Sequence, residues 1–148
     1  MNTTLINKIN NCTIISDSRS KFTVSEKGKA FELDNANGLK GEVIKVDQCI
    51  YLKSDITTER CDYLMHFKDK NKLYFIELKG SDIAKAINQI ITSFNVFKNH
   101  YLNYEYQARI VCGQGIPEFR QNKNYIKLKS LLKSTPIIKN TKKHSEPI

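Results

Sequence analysis

The chain alternates between two hydrophobic periods, and the changes of period mark the predicted elements. Apolar and polar residues alternate on either side of a turn at Gly28, a pattern typical of a β-hairpin. Three more strand-like runs follow at 43–52, 61–67 and 73–79. The period then becomes helical, which predicts an amphipathic helix ending near Lys98. Its apolar positions are Ile83, Ile87, Ile90, Ile91 and Phe94.

The order of these elements predicts a mixed sheet. The linker 68–72 is short and polar, so the strands on either side of it should be antiparallel neighbours. A strand at 107–112 follows the amphipathic helix, and such a crossover usually joins parallel strands. A short helix in the first dozen residues and a last helix or strand at 125–133 complete the pattern. The sequence predicts one α/β domain over residues 1–133, a mixed sheet flanked by helices, followed by a flexible basic tail at 134–148.

Two charged residues stand in a strand that is otherwise apolar. Glu77 and Lys79 are two positions apart, so their side chains leave the same face of the strand roughly 7 Å apart. Asp62 lies at the start of the strand predicted to pair antiparallel with this one, so the Asp62 carboxylate should lie across from Glu77. Burying a lone charge costs several kcal/mol, whereas two carboxylates suit Mg²⁺ or Mn²⁺ and a lysine beside them stabilises charge on a phosphate. The pattern predicts metal-assisted hydrolysis of a phosphodiester.

These residues also resemble the PD-(D/E)xK nuclease superfamily, in particular its small stand-alone bacterial members. The resemblance covers about residues 43–112, which we take as the core. It rests on the strings Cys61-Asp62-Tyr63-Leu64, Phe75-Ile76-Glu77-Leu78-Lys79-Gly80-Ser81-Asp82-Ile83 and Lys85-Ala86, together with Gln89. The resemblance implies a restriction-endonuclease-like core, Asp62 and Glu77 as metal ligands, Lys79 serving the attacking water, and Gln89 near the substrate. Cys61 stands where the superfamily name has proline.

One departure from that superfamily leaves alternatives open. Many members supply a further acid from an N-terminal helix, and the first predicted helix here has none. Asp47 is the preferred substitute, because its strand should lie beside Asp62; the other choices are Glu42, Glu32 and Glu26. A second interpretation is a module that kept the nuclease fold without catalysis and binds nucleic acid or a protein partner. A third is a structural ion pair between Glu77 and Lys79 in an unrelated α/β protein.

The charge distribution favours an anionic polymer as partner. The chain has 24 Lys and Arg against 15 Asp and Glu, and most of the excess follows Arg109. A basic region of this kind concentrates nucleic acid at the surface. The candidate contacts are Lys85, Gln89, Arg109, Arg120 and Lys123, and the tyrosines Tyr101, Tyr104 and Tyr106 could stack on bases.

Substrate, partners and location follow from the same reading. DNA is favoured over RNA as the substrate. The chain has no room for a separate recognition domain, so a homodimer or a larger defence or repair complex would supply the missing surface. No apolar run approaches the roughly 20 residues of a membrane helix, and the first residues lack a signal peptide's apolar stretch. We therefore expect no membrane association and a cytoplasmic location.

The cysteines support that location. They are scattered singly, without a C-x-x-C pair or a histidine at metal-ligand spacing. Each has apolar neighbours, so the sequence predicts four reduced thiols in the core. They are Cys12, Cys49, Cys61 and Cys112.

Overall fold

A computed structural model describes residues 3–52, 54, 59–79, 81–113 and 115–148. The helices in this part of the chain are α1 (Thr3–Asn11), α2 (Ile83–Phe97) and α3 (Lys123–Leu132). The strands are β1 (Thr13–Asp17), β2 (Lys21–Glu26), β3 (Lys29–Asp34), β4 (Gly41–Lys45), β5 (Tyr63–Phe67), β6 (Lys72–Lys79), β7 (Glu105–Cys112), β8 (Ile137–Asn140) and β9 (Lys143–Pro147).

The strands form two sheets. The larger sheet has the order β1-β4-β5-β6-β7-β8 and the smaller has the order β2-β3-β9. In the larger sheet the pairs from β1 to β6 are antiparallel, and β6, β7 and β8 are parallel. The predicted antiparallel pair β5–β6 and the predicted parallel pair β6–β7 are confirmed, as is the mixed α/β fold with a mixed sheet.

Alternation along β6 divides the core into two layers. Leu73 and Phe75 pack on the side of the helices, whereas Tyr74 and Ile76 pack against the smaller sheet. Both faces of β6 are therefore buried, which explains why its sequence is almost continuously apolar. The predicted stripe of α2 covers the first layer, and Asp82 caps that helix by accepting a hydrogen bond from the Lys85 amide at 3.0 Å.

Gly41 allows the two sheets to approach each other. A Cβ at this position would lie 2.5 Å from the Phe67 ring and 2.7 Å from the Phe22 ring, which pack edge to face with centroids 5.2 Å apart. We expect Gly41→Ala to lower the free energy of unfolding by about 1–3 kcal/mol, because overpacking forces buried rings from their positions. Urea unfolding checks this. The control is Ala36→Gly in the exposed loop. Gly38→Ala would not serve as a control, because Gly38 has a positive φ of 63° that alanine adopts only with strain. Equal stability of Gly41→Ala and the unaltered protein would contradict the role of Gly41.

The prediction of a flexible tail at 134–148 is wrong. Residues in this segment form β8, which pairs with β7, and β9, which pairs with β3. Both are edge strands with mostly polar side chains, so hydrophobic alternation gives no signal for them. The last predicted helix or strand is the helix α3, and the predicted strand at 43–52 ends at Lys45.

The prediction of four reduced thiols is also wrong. Cys12, which directly follows α1, forms a disulfide with Cys49 in the turn after β4. Cys61 and Cys112 are free and buried. The cysteines therefore no longer support a reducing compartment. In the described residues, no helix is long and apolar enough to cross a membrane.

Candidate metal-binding and catalytic site

The ends of β5 and β6 bring two carboxyl groups together. Asp62 directly precedes β5, and its Oδ2 accepts a hydrogen bond from the Leu78 amide at 2.8 Å. The Asp62 amide donates to the Ile76 carbonyl at 3.0 Å, which continues the antiparallel pairing and sets Asp62 opposite Glu77. The antiparallel register therefore makes Asp62 and Glu77 neighbours across the two strands, as the sequence predicts.

Burial dominates the electrostatics of this pair. Glu77 is 2% exposed and Asp62 is 8% exposed, and desolvation raises the pKa of both carboxyl groups. The Asp62 charge raises the pKa of Glu77 further, whereas Lys79 lowers it from a distance of 4.0 Å between Nζ and Glu77 Oε2. The Leu78 amide opposes the rise at Asp62. One lysine at this distance does not compensate two buried carboxyl groups.

One oxygen of Glu77 has no hydrogen-bond partner. Glu77 Oε1 is fully buried and receives no donor. A buried acceptor without a donor costs free energy, and a bound cation is one way to satisfy such an atom. Two carboxylates present hard oxygen donors and leave positions for water, which fits the way Mg²⁺ binds to proteins. No group of three or more His, Cys, Asp or Glu side chains among the described residues is arranged to hold a metal ion, so the fit rests on this pair.

Two of the four candidates for a third acid lie beside Asp62. The charge of Glu26, the last residue of β2, raises the pKa of Asp62. Asp47 also raises the pKa of Asp62, but Asp47 Oδ1 is 2.8 Å from Arg60 Nε. The charges of both acids therefore act on Asp62, and Asp47 is in addition paired with Arg60. The sequence favours Asp47, because no sequence pattern indicates that Glu26 reaches the site from the other sheet.

The other two candidates for a third acid are wrong. Glu42 is bound to His66 at 3.0 Å near the opposite end of β6. Glu32 accepts a hydrogen bond from Thr23 at 2.7 Å and lies 3.2 Å from Lys143 Nζ. Both carboxyl groups are bound to partners away from Asp62 and Glu77, which we call the acid pair.

The helix α2 fixes the segment that leads into Asp62. Gln89 Nε2 donates to the Arg60 carbonyl at 3.1 Å, and Ser93 Oγ accepts a hydrogen bond from the Cys61 amide at 2.8 Å. Gln89 Oε1 is buried without a partner. The structure brings Gln89 to the site, where it positions the backbone before Asp62. Sequence reasoning missed Arg60 and Ser93, and neither carries a motif that would have identified it.

Three of the predicted basic contacts lie at the edge of the sheet that holds the acid pair. The strands β6 and β7 are parallel and end together at Lys79 and Cys112, so the segments that follow them meet at this edge. Lys85 lies in the first turns of α2, Arg120 lies in the loop before α3, and Lys123 begins α3. All three side chains are exposed, and Arg120 Nη1 is 3.3 Å from Glu118 Oε2.

The assignment of Arg109 as a nucleic-acid contact is wrong. Arg109 is 6% exposed and lies between the sheets, where its Nε is 2.6 Å from Glu146 Oε1. Its Nη1 also donates to the Ala108 carbonyl at 2.9 Å, and its guanidinium lies over the Tyr74 ring. The strand β9 carries Glu146 and covers the side chain. Arg109 therefore joins the two sheets.

The three tyrosines predicted to stack on bases have partners within the fold. Tyr101 is buried, the Tyr104 hydroxyl is 2.8 Å from His66 Nε2, and the Tyr106 hydroxyl donates to the Tyr101 carbonyl. The chain's Phe and Tyr rings, all of which the structure describes, are buried or half-buried. Comparison of the chain with protein-family models, with curated proteins and with solved structures gives no significant match, so the arguments for function rest on the geometry of this site.

Proposed function

We propose that the protein is a metal-dependent nuclease of the PD-(D/E)xK type that hydrolyses phosphodiester bonds, with DNA favoured over RNA. The observation that carries the proposal is the buried cross-strand pair of Asp62 and Glu77, in which Glu77 Oε1 has no partner and Lys79 lies 4.0 Å from the other oxygen. The antiparallel pair β5–β6, the crossover helix α2 and the parallel strand β7 support a restriction-endonuclease-like core.

Each residue of the site has a role in the proposed reaction. Asp62 and Glu77 would hold Mg²⁺ or Mn²⁺, and such a cation, when bound, stabilises the negative charge that develops on phosphoryl oxygens. Lys79 would orient the attacking water and stabilise charge on the phosphate through its ammonium group. Gln89 would keep Asp62 in place through the backbone bond already described. Lys85 and Lys123 would contact phosphates on either side of the scissile bond.

Titration calorimetry with Mn²⁺ tests the metal site. The unaltered protein is expected to bind Mn²⁺ and to melt at a higher temperature in its presence, because a ligand of the native state stabilises that state by about 2.7 kcal/mol at a hundredfold excess over Kd. An Asp62→Asn, Glu77→Gln double variant should lose both effects, because neutral amides replace both carboxylates.

A matched double variant is the control for this titration. Glu42→Gln combined with Asp69→Asn removes the same charge near the opposite end of β6 and should leave Mn²⁺ binding unchanged. Circular dichroism establishes that each variant is folded. Equal Mn²⁺ binding by the unaltered protein and the Asp62→Asn, Glu77→Gln variant would refute the assigned ligands.

A second candidate function is a binding module that has the nuclease fold but no catalysis. The observation that favours it is the lack of a three-ligand metal group in the described part of the chain. This candidate predicts salt-sensitive binding of DNA, unaffected by Glu77→Gln, with no cleavage in Mn²⁺. A homodimer or a larger defence or repair complex, and a cytoplasmic location, stay predictions under either function.

A further inference from the structure

The turn between β2 and β3 carries two lysines to the edge of the acid pair. Glu26 precedes this turn and pairs with Lys29, and its charge is close enough to Asp62 to raise the pKa of that carboxyl group. Lys27 and Gly28 form the turn with positive φ angles of 50° and 76°, a backbone typical of tight hairpins. Lys29 follows, close enough to affect the Cys112 thiol electrostatically.

The turn between β8 and β9 adds a third lysine to the same edge. The Thr141 amide donates to the Cys112 carbonyl at 3.1 Å, and the Ala30 amide donates to the Lys142 carbonyl at 2.9 Å. These two bonds fix Lys142 between the end of β7 and the start of β3. We call Lys27, Lys29 and Lys142 the second-sheet lysines.

The second-sheet lysines belong to the layer of the smaller sheet, and the helical residues Lys85 and Lys123 belong to the opposite layer. The helices and the smaller sheet lie on opposite faces of the larger sheet. Lys85 and Lys123 belong to the helical layer, so the edge with Asp62 and Glu77 lies between two basic borders. Among the described residues, none of the second-sheet lysines takes part in an ion pair.

This arrangement requires a partner with closely spaced negative charges. The carboxyl groups at the centre repel phosphates, so a substrate backbone needs cations on its flanks to approach the centre. Duplex DNA carries one negative charge per about 1.7 Å of axis, on two backbones that run side by side. The two basic borders of the site could each contact one of the two backbones of the duplex.

The aromatic residues favour a duplex over a single strand. Proteins that bind single strands combine a basic groove with aromatic rings on which bases stack. The chain has no Trp, and its Phe and Tyr rings are all buried or half-buried.

We propose that Lys27, Lys29 and Lys142 form one wall of a duplex-DNA groove and contact the phosphate backbone opposite α2 and α3. The inference rests on the proposed function, because it takes the acid pair as the centre of the groove. It adds a phosphate-binding surface supplied by the smaller sheet.

Binding of a fluorescein-labelled duplex tests the wall without cleavage. Fluorescence anisotropy is measured in EDTA over about 50–200 mM KCl for the unaltered protein and for a Lys27→Gln, Lys29→Gln, Lys142→Gln variant. Each lost phosphate contact makes the slope of log K against log salt shallower by about 0.9, so the triple variant should lose between 2 and about 3 units of slope. At 0.1 M salt its affinity should fall on the order of 100-fold.

A charge-matched variant separates this surface from net charge. Lys40, Lys68 and Lys70 lie at the opposite end of the larger sheet and form no ion pair in the described part of the chain. Replacing all three with glutamine should leave the slope unchanged. Equal losses in the two triple variants, no loss in the second-sheet variant, tighter binding of single-stranded DNA or RNA than of duplex, or no duplex binding by the unaltered protein would each overturn the wall.

Single variants and a cleavage assay distinguish failure of the proposed wall from failure of the proposed nuclease function. Lys27→Gln, Lys29→Gln and Lys142→Gln alone should each reduce the slope by about 0.9, which preserves the test should the triple variant fail to fold. Because binding is measured in EDTA, it does not depend on the metal site. If the triple variant of the second-sheet lysines cleaves DNA in Mn²⁺ and its slope of log K against log salt is unchanged, the wall is refuted but the nuclease proposal is not.

Discussion

Replacing Lys79 with alanine is expected to reduce the rate of DNA cleavage by about 10²–10³-fold, the usual loss when one group that stabilises transition-state charge is removed. The Lys79 side chain is half-buried, with its ammonium 4.0 Å from Glu77. Metal affinity should be retained or rise, because a positive charge beside the carboxylates is lost. The cleavage rate is measured on supercoiled plasmid in Mn²⁺, and the affinity for Mn²⁺ is measured by titration calorimetry.

Lys72→Ala is the matched control for that experiment. Lys72 lies on the same strand at its other end, 3.4 Å from Glu105, and its removal should leave cleavage unchanged. Cleavage by Lys79→Ala at the rate of the unaltered protein would contradict the role of Lys79. An unaltered protein that binds duplex DNA and Mn²⁺ without cleaving plasmid or structured RNA would establish the binding module instead.

Reduction of the Cys12–Cys49 disulfide is expected to lower the free energy of unfolding by about 2–4 kcal/mol. The bond closes a separation of 37 residues, and chain-entropy arguments assign a loop of that length about 4 kcal/mol. Few other anchors hold α1, because Ile9 is its buried residue. Urea unfolding with and without dithiothreitol measures the change.

A Cys12→Ser, Cys49→Ser variant controls for other effects of the reductant. It should match the reduced protein and show no response to dithiothreitol, whereas Cys112→Ser should keep the response. Four alkylated cysteines after denaturation without reductant would show that the bond does not form.

The central part of the fold could be predicted because its signals are local. The polar linker 68–72 dictates an antiparallel pair, and the helical stripe from Ile83 to Phe94 identifies the crossover. The same short distances along the chain placed Asp62 opposite Glu77. Local pattern is enough wherever neighbours in sequence are neighbours in space.

The remainder depends on contacts between distant segments. No spacing rule pairs Cys12 with Cys49, because each has apolar neighbours like a reduced core thiol. Arg109 was misassigned because Glu146, which neutralises it, belongs to a strand without hydrophobic alternation. Glu26 reaches Asp62 from the smaller sheet, a juxtaposition that only tertiary packing produces.

The parallel pair β3–β9 also constrains the order in which the protein folds during synthesis. The hairpin β2–β3 can form as soon as residues 21–34 leave the ribosome, yet β3 gains its second neighbour only when residues 143–147 have been made. At about 5–20 residues per second, the edge of β3 stays open for roughly 5–20 seconds. An open strand edge is a template for pairing with other chains. Pairing with β9 therefore closes that edge only after residues 143–147 have been made.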